Sequence, residues 1–169
     1  ESLVEWMDHE PEDHHWALDG CGVPTPRMPL HEMARAYSRL VRQARRGRAA
    51  PAAVVSSMTR FPELTSSPGR VPLKIMQATK GRLLEKEGAE GVLCVAALDE
   101  DWGLAVKVED GALRAVGPAT VQLMELAGVL RADERTALAE VSEAVIENTL
   151  GMEVGRVRAR EVADAGVDG

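Results

Sequence analysis

Between residues 30 and 46 the apolar side chains of Leu30, Met33, Ala34, Tyr37, Leu40, Val41 and Ala44 recur every three or four positions, with Arg35, Arg39, Arg42, Arg45 and Arg46 between them. That period is an α-helix with one buried stripe and one charged face. The arginines crowd the last turn, where the helix dipole favours cations, and Gly47 stands where a stop is expected. The pattern predicts a second helix over 51–60, with Pro51 in its first turn, and a short one over 73–79 after the Ser66-Ser67-Pro68-Gly69 turn.

Further on the pattern changes. Leu83 and Leu84, then the run from Val92 to Leu98, are two short apolar stretches separated by a loop holding Gly88 and Gly91, the local signal for an antiparallel pair. Asp99-Glu100-Asp101 makes a polar turn, and Leu104, Val106 and Val108 alternate with Ala105 and Lys107, predicting a third strand over 103–108 and so a meander. A helix follows from 113 to about 126, bent at Gly117-Pro118 and stopped near Gly128. The tail predicts a short helix over 133–140 and an edge strand over 152–158 with Arg156 and Arg158 outward. The expected class is α+β, with helices packed on an antiparallel sheet.

Composition narrows the partners. With 169 residues, 45% of them hydrophobic and 28% charged, the chain can bury the core of one domain. Its net charge of −7 argues against nucleic acid and anionic membranes. Residues 1–19 carry seven acids and no Lys or Arg, whereas 20–60 carry eight arginines and one acid; the two blocks are expected to pair within the fold. No apolar run approaches the roughly 18 residues of a membrane span. Only Cys21 and Cys94 are present and no signal-peptide pattern occurs, so a reducing cytoplasm is expected. Glu1 stands where a Met would, which suggests a processed or trimmed N-terminus. The expected division is an acidic N-terminal segment over 1–16, a body over 17–160 and a frayed tail over 161–169.

Three features bear on chemistry. His9, His14 and His15 match no metal-site spacing, and their segment is read as solvated, docked by Trp6 and Trp16. Cys21, flanked by glycines, next to Asp19 and followed by Pro24, Pro26 and Pro29, sits in a shaped loop where a thiol could serve as ligand or oxyanion partner. Lys86 lies at the rim of the central hairpin, just before its turn.

Three motifs in order make the chain resemble the rhizobial-type L-asparaginases, the asparaginase II family. They are Asp19-Gly20-Cys21-Gly22-Val23-Pro24-Thr25-Pro26-Arg27-Met28-Pro29-Leu30, then Phe61-Pro62-Glu63-Leu64 with Gly69-Arg70, then Lys86-Glu87-Gly88-Ala89-Glu90-Gly91-Val92 continuing into Ala105-Val106-Lys107-Val108-Glu109-Asp110-Gly111. The likeness spans roughly 17–160 and implies a fold similar to serine β-lactamases and penicillin-binding proteins. It implies Lys86 in the catalytic cleft, Gly88 and Glu90 at the substrate, and Cys21 as a zinc ligand with Asp19 orienting it. L-asparagine becomes the implied substrate.

The family's serine nucleophile, the lysine one turn after it and a Cys-Ser-Gly-Lys-His zinc segment lie upstream of the Asp-Gly-Cys-Gly loop. None occurs in these 169 residues, and no serine is followed three positions later by lysine. Cys94, in an apolar strand, reads as a buried structural thiol. The resemblance therefore implies the C-terminal half only, with an incomplete zinc site, inactive until the N-terminal half is supplied. Such a chain is expected to cover its exposed edges with that half or a second copy, as a homo-oligomer. The alternative is a truncated, non-catalytic binding or assembly module. Glu87, where many relatives carry a small or hydroxyl residue, and Val71-Pro72 depart from the family pattern at places that bear on substrate choice.

Overall fold

The computed structural model describes Trp6 and residues 16–160. The expectations for the histidine segment and for the tail over 161–169 lie outside the described residues. At the centre is an antiparallel meander of β3 (Leu83–Gly88), β4 (Val92–Ala97) and β5 (Gly103–Lys107), in the order β3-β4-β5, as the alternation predicts. Leu83 faces Ala97 and Leu84 faces Ala96 across the first pair. Because side chains alternate, this register sorts the sheet into two faces.

On one face Leu83, Leu93, Val95 and Ala97 form the larger core with Ile75 of α4 (Val71–Ala78), Val116, Val121 and Met124 of α5 (Leu113–Leu126), and Leu138 and Val141. On the other, Leu84 and Ala96 meet Val41 of α1 (Leu30–Arg45) and Val55 of α2 (Ala49–Arg60). The stripe of α1 that the sequence predicts is the one that packs here. The helix lies so close to β5 that a Cβ at Gly103 would sit 2.3 Å from the Ala34 carbonyl oxygen.

Helix ends follow their expected chemistry. After α1, Gly47 N donates to Ala44 O and Arg48 N to Gln43 O, satisfying carbonyls that the helix leaves open; Gly128 and Val129 do the same after α5. Past α4 the same pair of bonds forms with Lys80 at a φ of 53° in the left-handed position. Gly81, at a φ of 74°, follows one residue later.

Elsewhere the structure departs from the pattern. Phe61-Pro62-Glu63-Leu64 contributes a one-turn helix, α3 (Pro62–Thr65), begun by a proline that needs no N–H partner there. The single helix expected over 133–140 is two, α6 (Ala132–Ala137) and α7 (Ala139–Ser142), interrupted at Leu138, which is wholly buried. The loop expected around Cys21 is a hairpin of two short strands, β1 (Trp16–Leu18) and β2 (Pro24–Pro26). The arginine-bearing tail strand, β7 (Glu153–Arg158), is an edge strand as expected, paired with β6 (Glu143–Glu147) in a separate two-stranded sheet. Arg156 and Arg158 are exposed, as expected.

One charged cluster braces the start of β3. Arg82 Nε donates to Glu134 Oε1 at 2.8 Å, and its Nη2 donates to Glu134 Oε2 at 2.5 Å and to the Val129 carbonyl at 2.8 Å. The side chains are only 9% and 4% exposed. Burial raises the Glu134 pKa, but hydrogen bonds from Arg82 and from the Arg131 backbone outweigh it and leave the carboxyl below its ordinary value.

Candidate functional site

The β3–β4 hairpin closes at the Gly88–Val92 pair. Its three-residue loop places Glu90 at a φ of 59° and Gly91 at 69°. The loop leans on the end of β5: Val108 N donates to Gly91 O at 2.9 Å, and a Cβ at Gly91 would meet Val108 Cβ at 2.9 Å. Glu90 folds back over Gly111, where a Cβ would lie 2.7 Å from its Oε2. Gly88 is under no such pressure, since a Cβ there would sit 3.5 Å from Val92 Cβ.

Lys86 is exposed on β3, opposite Cys94. Its Nζ donates to the Glu87 carbonyl at 2.7 Å, and among the described residues no carboxylate pairs with it. Other cations are engaged: Arg70 binds Glu87 at 2.6 Å, Lys74 binds Glu140 at 2.8 Å, and Arg45, from the arginine-rich block, binds Asp101 at 3.0 Å. Lys86 also borders a cavity of about 460 Å³. Ala36, Tyr37 and Leu40 of α1 and Val54 and Met58 of α2 form its apolar walls, and Trp6 completes it.

Beneath this lysine the chemistry is unreactive. Cys94 is 2% exposed; burial, then the charge of Glu85, pushes its thiol up to about 12, so it stays protonated as the sequence reading of a structural thiol requires. Burial, then Cys94 and Glu85, raises the Tyr37 phenol as well. The sequence reading missed Glu85. It is completely buried, both carboxyl oxygens lack a hydrogen-bond partner among the described residues, and burial, reinforced by Glu87, drives its pKa well above the ordinary range. The available signal was an acid on the same alternating face as Leu83, inside a strand.

Cys21 and Asp19 lie on the other hairpin, and both are exposed. Asp19 Oδ1 accepts from Cys21 N at 2.8 Å and from Val23 N at 2.9 Å, so the carboxylate shapes the turn's backbone. Among the described residues no group of three or more His, Cys, Asp or Glu is placed to hold a metal ion. The described donors therefore do not by themselves fit zinc, which takes four ligands in a structural site. Among the described residues no hydrogen bond or ion pair joins this hairpin to Lys86: Lys86, Gly88 and Glu90 share one hairpin, and Cys21 and Asp19 lie on another.

These features define a mixed α/β domain with small antiparallel sheets and one lysine-edged hairpin standing over an apolar cavity. A model of the L-asparaginase II family matches residues 1–159, and the chain belongs to that family. The match takes in the acidic residues 1–16 as well as the body. No curated protein matches the chain significantly. None of the described helices is long and apolar enough to cross a membrane.

Proposed function

We propose that this chain supplies the lysine-bearing wall of an amidohydrolase that cleaves the side-chain amide of L-asparagine to L-aspartate and ammonia. The observation that carries the reading is Lys86: exposed, without a carboxylate partner among the described residues, and two residues before the Gly88–Gly91 turn of a chain that belongs to the L-asparaginase II family. An ammonium there binds the substrate α-carboxylate or stabilises the oxyanion of the transition state. Gly88 and Glu90 follow it at the turn and contact substrate in this reading.

The nucleophile comes from outside these residues. No Ser-x-x-Lys spacing occurs in the 169. A serine from an N-terminal half, on the same chain or a partner, attacks the amide carbon; ammonia leaves, and water releases aspartate from the acyl-enzyme. In this reading the body over 17–160 is the C-terminal part of a β-lactamase-like fold, working in the cytoplasm as a homo-oligomer and inactive alone. The helices on both faces of the central sheet support that fold. Cys21 contributes one thiolate to zinc, with Asp19 holding its loop, only if the other ligands come from elsewhere; no catalytic step depends on it here.

The missing Ser-x-x-Lys also favours a second reading, a non-catalytic binding or assembly module. Ammonia release decides between them. In protein carrying the N-terminal half, Lys86→Ala lowers kcat/KM for L-asparagine by about 10²-fold or more, and Lys86→Arg recovers part of the loss. An unchanged rate removes Lys86 from the site; no ammonia from the completed protein favours the module.

A further inference from the structure

The cavity beside Lys86 is unsuited to L-asparagine itself. Its walls are almost wholly apolar, formed by Tyr37, Leu40, Val54 and Met58 together with Trp6, whereas asparagine carries an amide, an ammonium and a carboxylate. Burying those groups against hydrocarbon without hydrogen bonds is strongly unfavourable. At about 460 Å³ the space falls within the range of small-molecule pockets. Its few polar side chains are Thr65, Tyr37 and Lys86. Lys86 is the one cation among them, and its Nζ spends one of three donors on the Glu87 carbonyl, leaving two for a ligand at the cavity's border.

We propose that this cavity is a binding site for an amphipathic monocarboxylate, an aryl- or alkyl-substituted acid whose apolar body lies between α1 and α2 and whose carboxylate pairs with Lys86. The division of labour follows from the lining. Apolar walls supply affinity without direction, and a single cation at one end fixes which way the ligand lies. Tyr37, kept protonated by its burial, is available as a second donor to the same carboxylate. The proposal goes beyond the amidohydrolase reading and needs only the charge of Lys86. It requires no turnover, so its failure and the failure of that reading are distinguishable.

Calorimetric titration of the chain with 4-phenylbutyrate and with 4-phenylbutan-1-ol tests it, the two probes differing in the charged end. The acid is expected to bind saturably and about tenfold or more tightly than the alcohol. Lys86→Met should erase that preference and leave alcohol binding unchanged. Ala36→Phe and Val54→Trp, one on each helical wall, should each weaken both probes, with circular dichroism confirming the fold; Val54 is 46% exposed and tolerates the larger side chain best. Equal binding of acid and alcohol, a preference that survives Lys86→Met, or binding untouched by both filled variants overturns the proposal. So does an absence of saturable binding, including one in which sedimentation shows a second copy of the chain covering the cavity.

Discussion

The two glycine-flanked hairpins are the most distinctive strings in this sequence, and the fold treats them differently. The β3–β4 hairpin is built into the molecule: Leu83, Leu84, Leu93 and Val95 are fully buried, and its turn is buttressed by Val108 and Gly111. Around the β1–β2 hairpin every residue from Trp16 to Thr25 is exposed, and a Cβ at Gly20 or Gly22 would meet nothing within 4 Å. Its turn is held by Asp19, through local bonds to the backbone of Cys21 and Val23. A glycine pair thus signals close packing in one place and a free-standing turn in the other. Rigid support is what precise chemistry needs, and of the two hairpins the one that carries Lys86 has it.

The most severe way to break the contrast is to remove the brace under the first hairpin. Arg82→Ala leaves the Glu134 carboxylate buried without its partner and should cost about 3–5 kcal/mol in denaturant unfolding. Arg82→Met combined with Glu134→Leu should regain much of that, because an apolar pair leaves no stranded charge. If the double variant is no better than the single, the cost lies in lost packing. Next in size come the turn glycines. Gly91→Ala combines a left-handed φ of 69° with a Cβ at 2.9 Å from Val108, and should lose about 2–4 kcal/mol. Gly22→Ala, with a φ of 77° but open space around it, should lose about 1 kcal/mol at most. Equal losses would show that backbone conformation alone matters at both turns.

Much of this was legible in the sequence because periodicity reports burial. The 3.6 period placed α1, α2 and α5, and the alternation of 2 placed the meander and separated its two faces. What stayed illegible depends on tertiary contact. The break at Leu138 follows from that side chain being drawn wholly into the core, and the first left-handed residue after α4 is Lys80, one position before Gly81. Pairing of β7 with β6 rather than with the central sheet is set by a local turn in which Asn148 Oδ1 accepts from Leu150 N and Met152 N. Of the candidate site, Lys86 and its turn were visible as a rare string, but the cavity beside it joins residues from α1, α2 and β3 that only the fold brings together.

Two of the buried glutamates, Glu85 and Glu134, sharpen the comparison through pH. Glu85 has its folded pKa raised above the unfolded value near 4.5, so its protonated form stabilises the fold below that value and the contribution is lost as pH rises through the folded pKa. Glu85→Gln should therefore gain Tm over the parent progressively as pH increases from about 4.5. Glu134 works the other way: its pKa is lowered, so its contribution is present above the unfolded value and lost as pH falls through the folded one. A Glu85→Gln difference that stays flat between about pH 4 and pH 8 would mean that water reaches Glu85 in solution.

The smallest effect is expected at the free-standing hairpin. Asp19→Ala removes two backbone hydrogen bonds, each worth about 1 kcal/mol when formed, yet the turn they hold contributes no side chain to either core. Global unfolding should therefore shift by less than about 1 kcal/mol. Amide exchange at Cys21 and Val23 should instead quicken by about tenfold, reporting a loop that opens without the fold. Thiol labelling gives the same contrast: exposed Cys21 should react freely with a disulfide reagent in the native protein, whereas Cys94, 2% exposed, should react only on unfolding. A drop in global stability comparable to that of Gly91→Ala would instead mean that β1–β2 is tied to the body in solution, and would give Asp19 a structural reach that its contacts here do not.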